Sequence, residues 1–311
     1  MSDVNVLSAH PNVARLAGAV LEAWPDHARF LEQSFAGRDG ALMASSERAA
    51  ATILRIIGGP AALPEFCADY RFLCDCLLEE ELHFRRTGAY RLSRFDDAVA
   101  EVYSNRAFMR RYMNFLLLSH VVWDNHARAL AHFETAYLPS LPHGARHLEI
   151  GPGHGLLLHL ACAAPAVAGA TAWDVSQTSI DFARQCLTAA GGADRAELVL
   201  QDLFDAPASD ARFDSVVMAE VLEHLEDPLA ALESVARHMA PGGRLWIHVP
   251  INSPAPDHLY LLRTPEEAVE LVRAAGFEPL DTAFFPMTGA TLERARKRAL
   301  TISAVIDARL A

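Results

Sequence analysis

An α/β protein built on a doubly wound sheet, preceded by a mainly α-helical region with a small β wing, is what this 311-residue sequence predicts. Three observations predict it. Short apolar strands alternate with helical stretches from residue 146 onward, the pattern of parallel crossover units. A glycine cluster, Gly151, Gly153 and Gly155, separates one such strand from the apolar run that starts at Leu156. Before residue 146 the apolar spacing is mostly near 3.6, with one short change of period.

The first part reads as helices. Ala41 to Ile57 is rich in Ala, Leu and Ile at helical spacing. Pro64 suits the first turn of a helix running through FCADYRFLCDCLLEEE. Leu82, Phe84, Tyr90 and Leu92 then flank Thr87-Gly88, which reads as a short hairpin, the wing of a winged-helix-like module. From Asp96 to Tyr137 the period is helical again. Leu138-Pro139 and Leu141-Pro142-His143-Gly144 form a linker, placing a helical, lid-like domain at 1–140 and a second domain at 141–311.

The second part is expected to carry strands Arg146–Ile150, Ala170–Val175, Ala196–Leu200, Asp214–Met218 and Arg244–Pro250. Helices are expected at Leu156–Ala163, Thr178–Ala190 and Pro228–Met239. After Gly276, two further strands, Glu278–Phe285 and Thr301–Ala308, flank a charged helix, Leu292–Arg298.

Composition narrows the function. Hydrophobic residues make up 51% and charged residues 21%, a globular balance. The formal net charge is −12 and no stretch concentrates basic residues, which disfavours a partner gripped through its phosphates. The start, MSDVNVLSAHPNVARLAG, lacks a basic segment followed by an apolar one, so no leader is expected. Phe115 to Trp123, the most apolar stretch, is broken by Ser119 and His120, so no membrane span is expected. The five cysteines contain no CxxC pair, which points to reduced thiols in a cytoplasm and to no metal site built on thiolates.

The ligand signals lie at the ends of strands. Leu148-Glu149-Ile150-Gly151-Pro152-Gly153-His154-Gly155 spaces its glycines G-x-G-x-G, and Glu149 precedes the first. A carboxylate there repels a pyrophosphate and suits a ligand with an amino-acid end, whose ammonium it can hold. Asp174-Val175 ends the second strand about 20 residues on, where an acidic side chain accepts ribose hydroxyls. Asp202-Leu203 follows the third strand, with Asp202 placed to accept from an adenine amine. Glu220-Val221-Leu222-Glu223-His224-Leu225-Glu226-Asp227-Pro228 follows the fourth, with Glu220 expected among the cofactor-binding residues, near the methionine or adenine end of the ligand.

These four motifs, in this order and spacing, resemble the class I (Rossmann-like) S-adenosylmethionine-dependent methyltransferases. The resemblance covers about 146–311, and EVLEHLEDP, PGGRLWIHVP and TPEEAVELVRAAGF look like the subgroup acting on small molecules, as in ubiquinone-type O-methyltransferases. It implies a seven-stranded sheet ending in an antiparallel hairpin, S-adenosylmethionine as cofactor, and S-adenosylhomocysteine as product. The helix within the hairpin departs from the pattern. RFLCDCLLEEELHFRRTGAYRLS resembles the dimerisation region of plant and antibiotic-pathway O-methyltransferases, which implies a homodimer.

The implied reaction is an in-line displacement, for which holding the reactants in place can contribute ~7–11 kcal/mol. A general base is needed most for an alcohol or phenol and not at all for a thioether. His258, in the proline-rich loop after the fifth strand, and His224 are the candidate bases. Asp257 and Tyr260 share the loop with His258, and Tyr112, His120, Trp123 and His126 lie on helices that would cover the pocket. Glu220, Asp257 and the two histidines are also a possible divalent-metal set, though separate polar contacts are the expectation. The leading expectation is methyl transfer to O or N of a specialised metabolite or amino-acid-like compound. S-methylation of methionine or a related thioether acid is one alternative. A nucleotide-binding winged-helix regulator, contacting DNA through Arg85, Arg86, Arg91 and Arg94, is another.

Overall fold

The computed structural model describes residues 9–206 and 212–311. Part of the chain's start, on which the leader expectation rests, lies outside the described residues. The helical part comprises α1 (Pro11–Ala23), α2 (Ala28–Ala36), α3 (Gly40–Ile56), α4 (Leu63–Thr87), α5 (Phe95–Ala98), α6 (Arg106–Val122) and α7 (Asp124–His132). Single π turns, Val99–Tyr103 and Phe133–Tyr137, extend α5 and α7. Two side-chain caps place helix starts: Asp39 accepts from the Leu42 N–H at 2.8 Å, and Asn105 from the Phe108 N–H at 3.1 Å.

The expected wing is absent. Leu82 and Phe84 are the last turns of α4, and Gly88, at φ 72°, closes that helix by donating its N–H to the Phe84 carbonyl. Thr87-Gly88 is thus a helix stop and not a hairpin turn. The alternating apolar positions survive as a contact: buried Phe84 and Tyr90 pack at 5.8 Å between ring centroids across the stop. Among the described residues before Ala145 no strand forms.

The sheet matches the expectation strand for strand. It contains β1 (Ala145–Ile150), β2 (Val167–Asp174), β3 (Ala196–Leu200), β4 (Phe213–Ala219), β5 (Met239–Ile251), β6 (Phe277–Pro286) and β7 (Ile302–Leu310). Their order is β3-β2-β1-β4-β5-β7-β6, with β7 antiparallel to both neighbours. Helices α8 (Leu156–Ala163), α9 (Gln177–Ala190), α10 (Pro228–His238), α11 (Pro265–Ala274) and α12 (Leu292–Arg298) connect them. Four of six β1 residues in a row are buried, as a strand covered on both faces requires. The order reverses beside β1, so the carboxyl ends of β1, β2 and β4 open a crevice there.

The helical part packs into this crevice. One apolar core runs from Val13 and Leu16 of α1 through Leu118 and Val121 of α6 to Val217, Trp246 and Val305 in the sheet. The Tyr137 hydroxyl lies 2.8 Å from Ser215 Oγ of β4 and pins the end of the helical part to the sheet. Among the described residues no helix is long and apolar enough to cross a membrane. All five cysteines are free, with Cys67, Cys162 and Cys186 buried.

Candidate active site

The loop after β1 depends on three glycines at positive φ, of which two are sterically compelled. A Cβ on Gly151 would stand 2.8 Å from Val221 Cγ2, and one on Gly155 2.8 Å from the Ala183 backbone. Gly155 therefore seats the loop against α9, and it does not line the cavity. Gly155→Ala is expected to destabilise by about 2–4 kcal/mol, combining left-handed backbone with overpacking. Urea unfolding checks this, and parental stability would remove the packing account.

The crevice holds a cavity of about 490 Å³. One wall is the β1 loop with Glu149, Gly151, Gly153 and His154, continued by Asp174, Val175 and the Ser176–Ser179 turn. The opposite wall is apolar and helical, with Tyr103, Met109, Met113, Leu116 and Leu130. Glu149 is buried, its Oε2 has no hydrogen-bond partner, and burial raises its carboxyl well above the usual range. Asp174 accepts from the Ser176 N–H at 2.8 Å, and burial pushes its carboxyl up to about 6.

Where the two walls meet, acids and imidazoles gather. Glu220 leaves β4 at φ 54°, a left-handed backbone that costs a non-glycine residue about 1–3 kcal/mol and is typical of functional strand exits. Its Oε1 lies 3.1 Å from His248 Nε2, without hydrogen-bond geometry. Burial, then the charge of Asp257, pushes the Glu220 carboxyl up to about 8. The turn Leu222–His224 follows, and its Glu223 carbonyl accepts from the N–H groups of Leu259 at 2.8 Å and Tyr260 at 3.0 Å. That clamp brings the loop after β5 back over the site. Asp257 and His258 are buried there, and the Tyr112 hydroxyl donates to Asp257 Oδ1 at 2.9 Å. Burial, and secondarily His224, pulls the His258 imidazole down to about 4, so it is neutral at pH 7.

The structure thus brings together Glu149, Gly151, Gly153, Asp174, Val175, Glu220, His224, His258, Asp257, Tyr112, His120 and His126 around one cavity. It leaves out four candidates besides Gly155. Asp202 is exposed and accepts from the Phe204 N–H at 2.8 Å, and Leu203 is buried in the sheet core. Trp123 donates to the Tyr70 hydroxyl at 2.8 Å, and Tyr260 packs against the sheet core.

Two groups escaped the sequence reading. His154 and His248 line the cavity. His154 Nδ1 accepts from the Leu156 N–H at 3.1 Å, so its Nε2 donates to His120 Nε2 at 3.1 Å. Both histidines stand inside quoted motifs, so position was a usable signal. Tyr90 and Arg91, read as wing, instead strap the loop after β5 that carries Asp257 and His258. The Tyr90 hydroxyl accepts from the Ser253 N–H at 3.1 Å, and Arg91 Nη2 donates to the Pro256 carbonyl at 3.3 Å. No spacing announced that role.

Comparison with known proteins gives the arrangement a context. The family model described as a methyltransferase domain matches residues 122–299. The 27-O-demethylrifamycin SV methyltransferase of Amycolatopsis mediterranei is 31% identical over 172 residues, 51% of this chain and 58% of that protein. The ubiquinone biosynthesis O-methyltransferase of Xanthomonas axonopodis pv. citri is 34% identical over 115 residues, 37% of this chain and 46% of that protein. The chain spans 58% or less of the length of the first curated relatives it matches. Among solved structures, the mitomycin 7-O-methyltransferase has a TM-score of 0.53 at 18% identity, covering 84% of this chain and 75% of that one. This likeness concerns the fold.

Proposed function

The chain belongs to the methyltransferase family, and from that premise we propose that it transfers a methyl group from S-adenosylmethionine to an oxygen atom of a small molecule. One observation carries the reading: a single cavity joins the glycine loop and Asp174 to a cluster of acids and imidazoles. Its volume of about 490 Å³ falls within the ~300–1,000 Å³ of small-molecule sites.

The residues fit the cofactor. The unpartnered buried carboxylate of Glu149 suits an ammonium group, and the glycine loop lets a ligand approach the backbone closely. Asp174 suits ribose hydroxyls. Asp202 does not reach the cavity, so the adenine contact assigned to it is not part of the proposal. When bound, S-adenosylmethionine supplies an electrophilic methyl group on a positively charged sulfur.

This chain's own side chains do the rest. Met109, Met113, Leu116 and Leu130 give the cavity an apolar wall. Tyr112 holds Asp257, and Asp257 Oδ2 stands 3.4 Å from His224 Nδ1, so the imidazole faces inward in a fixed tautomer. Glu220, His224, Asp257 and His258 are the groups at hand for an acceptor proton. Proton-accepting groups at the reacting end favour an alcohol or phenol over an amine or a thioether. The regulator alternative loses its basis, because the wing it needs is the end of α4.

Calorimetric titration of ligand-free protein with S-adenosylhomocysteine, followed by assay against phenols, amines and thioether amino acids, tests the reading. Micromolar binding and an O-methylated product are expected; absence of binding sinks it. The affinity is expected to be highest near pH 8 and to fall as pH drops through about 6, where Asp174 takes a proton and stops accepting. A flat profile from pH 8 to 5 would separate Asp174 from the ribose. A homodimer is part of the proposal and is checked by sedimentation.

A further inference from the structure

The cavity is short of positive charge. Among the described residues no arginine or lysine lines it, whereas Glu149, Asp174, Glu220 and Asp257 do. Close by, Glu223 is fully buried 3.7 Å from His224 Nε2, with neither carboxylate oxygen hydrogen-bonded. The proposed cofactor carries a single net positive charge, which offsets only part of this. An acceptor bearing a carboxylate or phosphate would enter against acids, with no cationic side chain to meet it.

The cavity offers a row of neutral imidazoles instead. His154, His120, His126 and His248 follow one another along its lining, with ring centroids 5.0, 6.0 and 5.8 Å apart. All four are less than a tenth exposed. Burial pulls His120 down to about 4 and His248 to about 3, and lowers the other two, so the row is uncharged at pH 7.

Hydrogen bonds fix which nitrogens carry protons. Because His120 Nε2 accepts from His154, its Nδ1 bears the hydrogen. That N–H is buried and has no partner. Ser119 Oγ donates to the Leu116 carbonyl at 2.7 Å, so it accepts from His126 Nδ1 at 2.9 Å and leaves a lone pair on His126 Nε2. His248 Nε2 is unpartnered too, 3.1 Å from Glu220 Oε1. Leaving such atoms unmet is costly. A donor and a lone pair on adjacent uncharged rings suit a hydroxyl, which accepts from one and donates to the other. A carboxylate has no hydrogen to give and brings a charge that nothing here balances.

We propose that His120 and His126 bind an uncharged hydroxyl of the acceptor, separate from the oxygen that is methylated. Glu220 lies beyond His248 in the row, so the two oxygens belong on opposite sides of the acceptor. The acceptor class is then a neutral molecule with two well-separated hydroxyls, and not an acid or a phosphate ester. This inference rests on the methyl-transfer reading and narrows its substrate.

The test saturates the full chain with S-adenosylhomocysteine and titrates it by calorimetry with three probes. They are methyl 2,5-dihydroxybenzoate, the anionic 2,5-dihydroxybenzoate, and methyl 2-hydroxybenzoate, which lacks the second hydroxyl. The first is expected to bind at least about tenfold tighter than either of the others. His120→Leu is expected to abolish the preference over the monohydroxy ester, with S-adenosylhomocysteine affinity unchanged. His120→Asn, which keeps an N–H near the Nδ1 position, is expected to recover most of it. Equal binding of acid and ester, binding of none of the three, or an unchanged preference in His120→Leu overturns the proposal. So does a loss of S-adenosylhomocysteine affinity in that variant, which would assign His120 to the cofactor. If His120→Leu does not fold, the three probes on the parent chain decide alone. Failure of the parent chain to bind S-adenosylhomocysteine would instead overturn the methyl-transfer reading.

Discussion

Asp174→Ala is expected to weaken binding of S-adenosylhomocysteine by at least about 100-fold, since hydrogen bonds to a charged group contribute roughly 1.5–3 kcal/mol each and a ribose offers two. The fold is expected to survive. The Asp174 carboxylate accepts from the Ser176 N–H, and the cap of α9 does not need it, because Ser176 Oγ itself accepts from the Ser179 N–H. Burial also holds the Asp174 carboxyl near 6. A raised carboxyl means that its charge opposes folding once pH exceeds the unfolded value, so at pH 8 the variant should melt no lower than the parent. Calorimetry and thermal melting together decide the matter. Wild-type affinity in the variant would remove the assignment of this wall to the cofactor.

His258→Ala is expected to lower turnover by about 10²–10⁴, the usual contribution of a positioned proton acceptor, while S-adenosylhomocysteine affinity stays within threefold. The imidazole lies at the junction of the walls, in contact with Ser253 and close to Glu223, and away from the glycine loop. An imidazole held near 4 is neutral at pH 7, and with Nδ1 on the Ser253 carbonyl its Nε2 is free to accept. Unchanged turnover in the variant would take His258 out of the machinery altogether.

Much of this was legible because local signals agreed with one another. Leu156–Ala163 and Leu292–Arg298 emerged with their expected bounds, the first started by a glycine loop and the second by Thr291, whose side chain accepts from the Arg294 N–H. The strand ends carrying Glu149, Asp174 and Glu220 followed from alternation alone. The wing did not survive because apolar residues at 82, 84, 90 and 92 satisfy period two locally, while Gly88 serves equally as turn or helix stop. Only tertiary packing of α4 chooses between them. Asp202 follows β3 as expected, but it does not line the cavity and its carboxylate accepts from the Phe204 N–H, which no spacing reveals. Glu223 drew no attention of its own because burial of one acid in the polar run Glu220 to Asp227 is invisible in composition. It becomes informative only once its neighbours across the fold are known.

Three tethers fasten the loop after β5 to the helical part: Tyr90 to Ser253, Arg91 to Pro256, and Tyr112 to Asp257. The glycine loop takes its tight turns from Val221 and Ala183 of the sheet part, and meets the helical part where His154 Nε2 faces His120 Nε2 at 3.1 Å. The two walls therefore lean on the helical segment to different degrees. A chimera that kept the sheet and exchanged the helical segment is expected to keep the tight turns of its glycine loop and to lose the three stays of the loop after β5, together with the contact of His154 with His120. Under the proposed function, a change of acceptor is expected to need the helices and the loop after β5 to change together, because each tether has one end in either part.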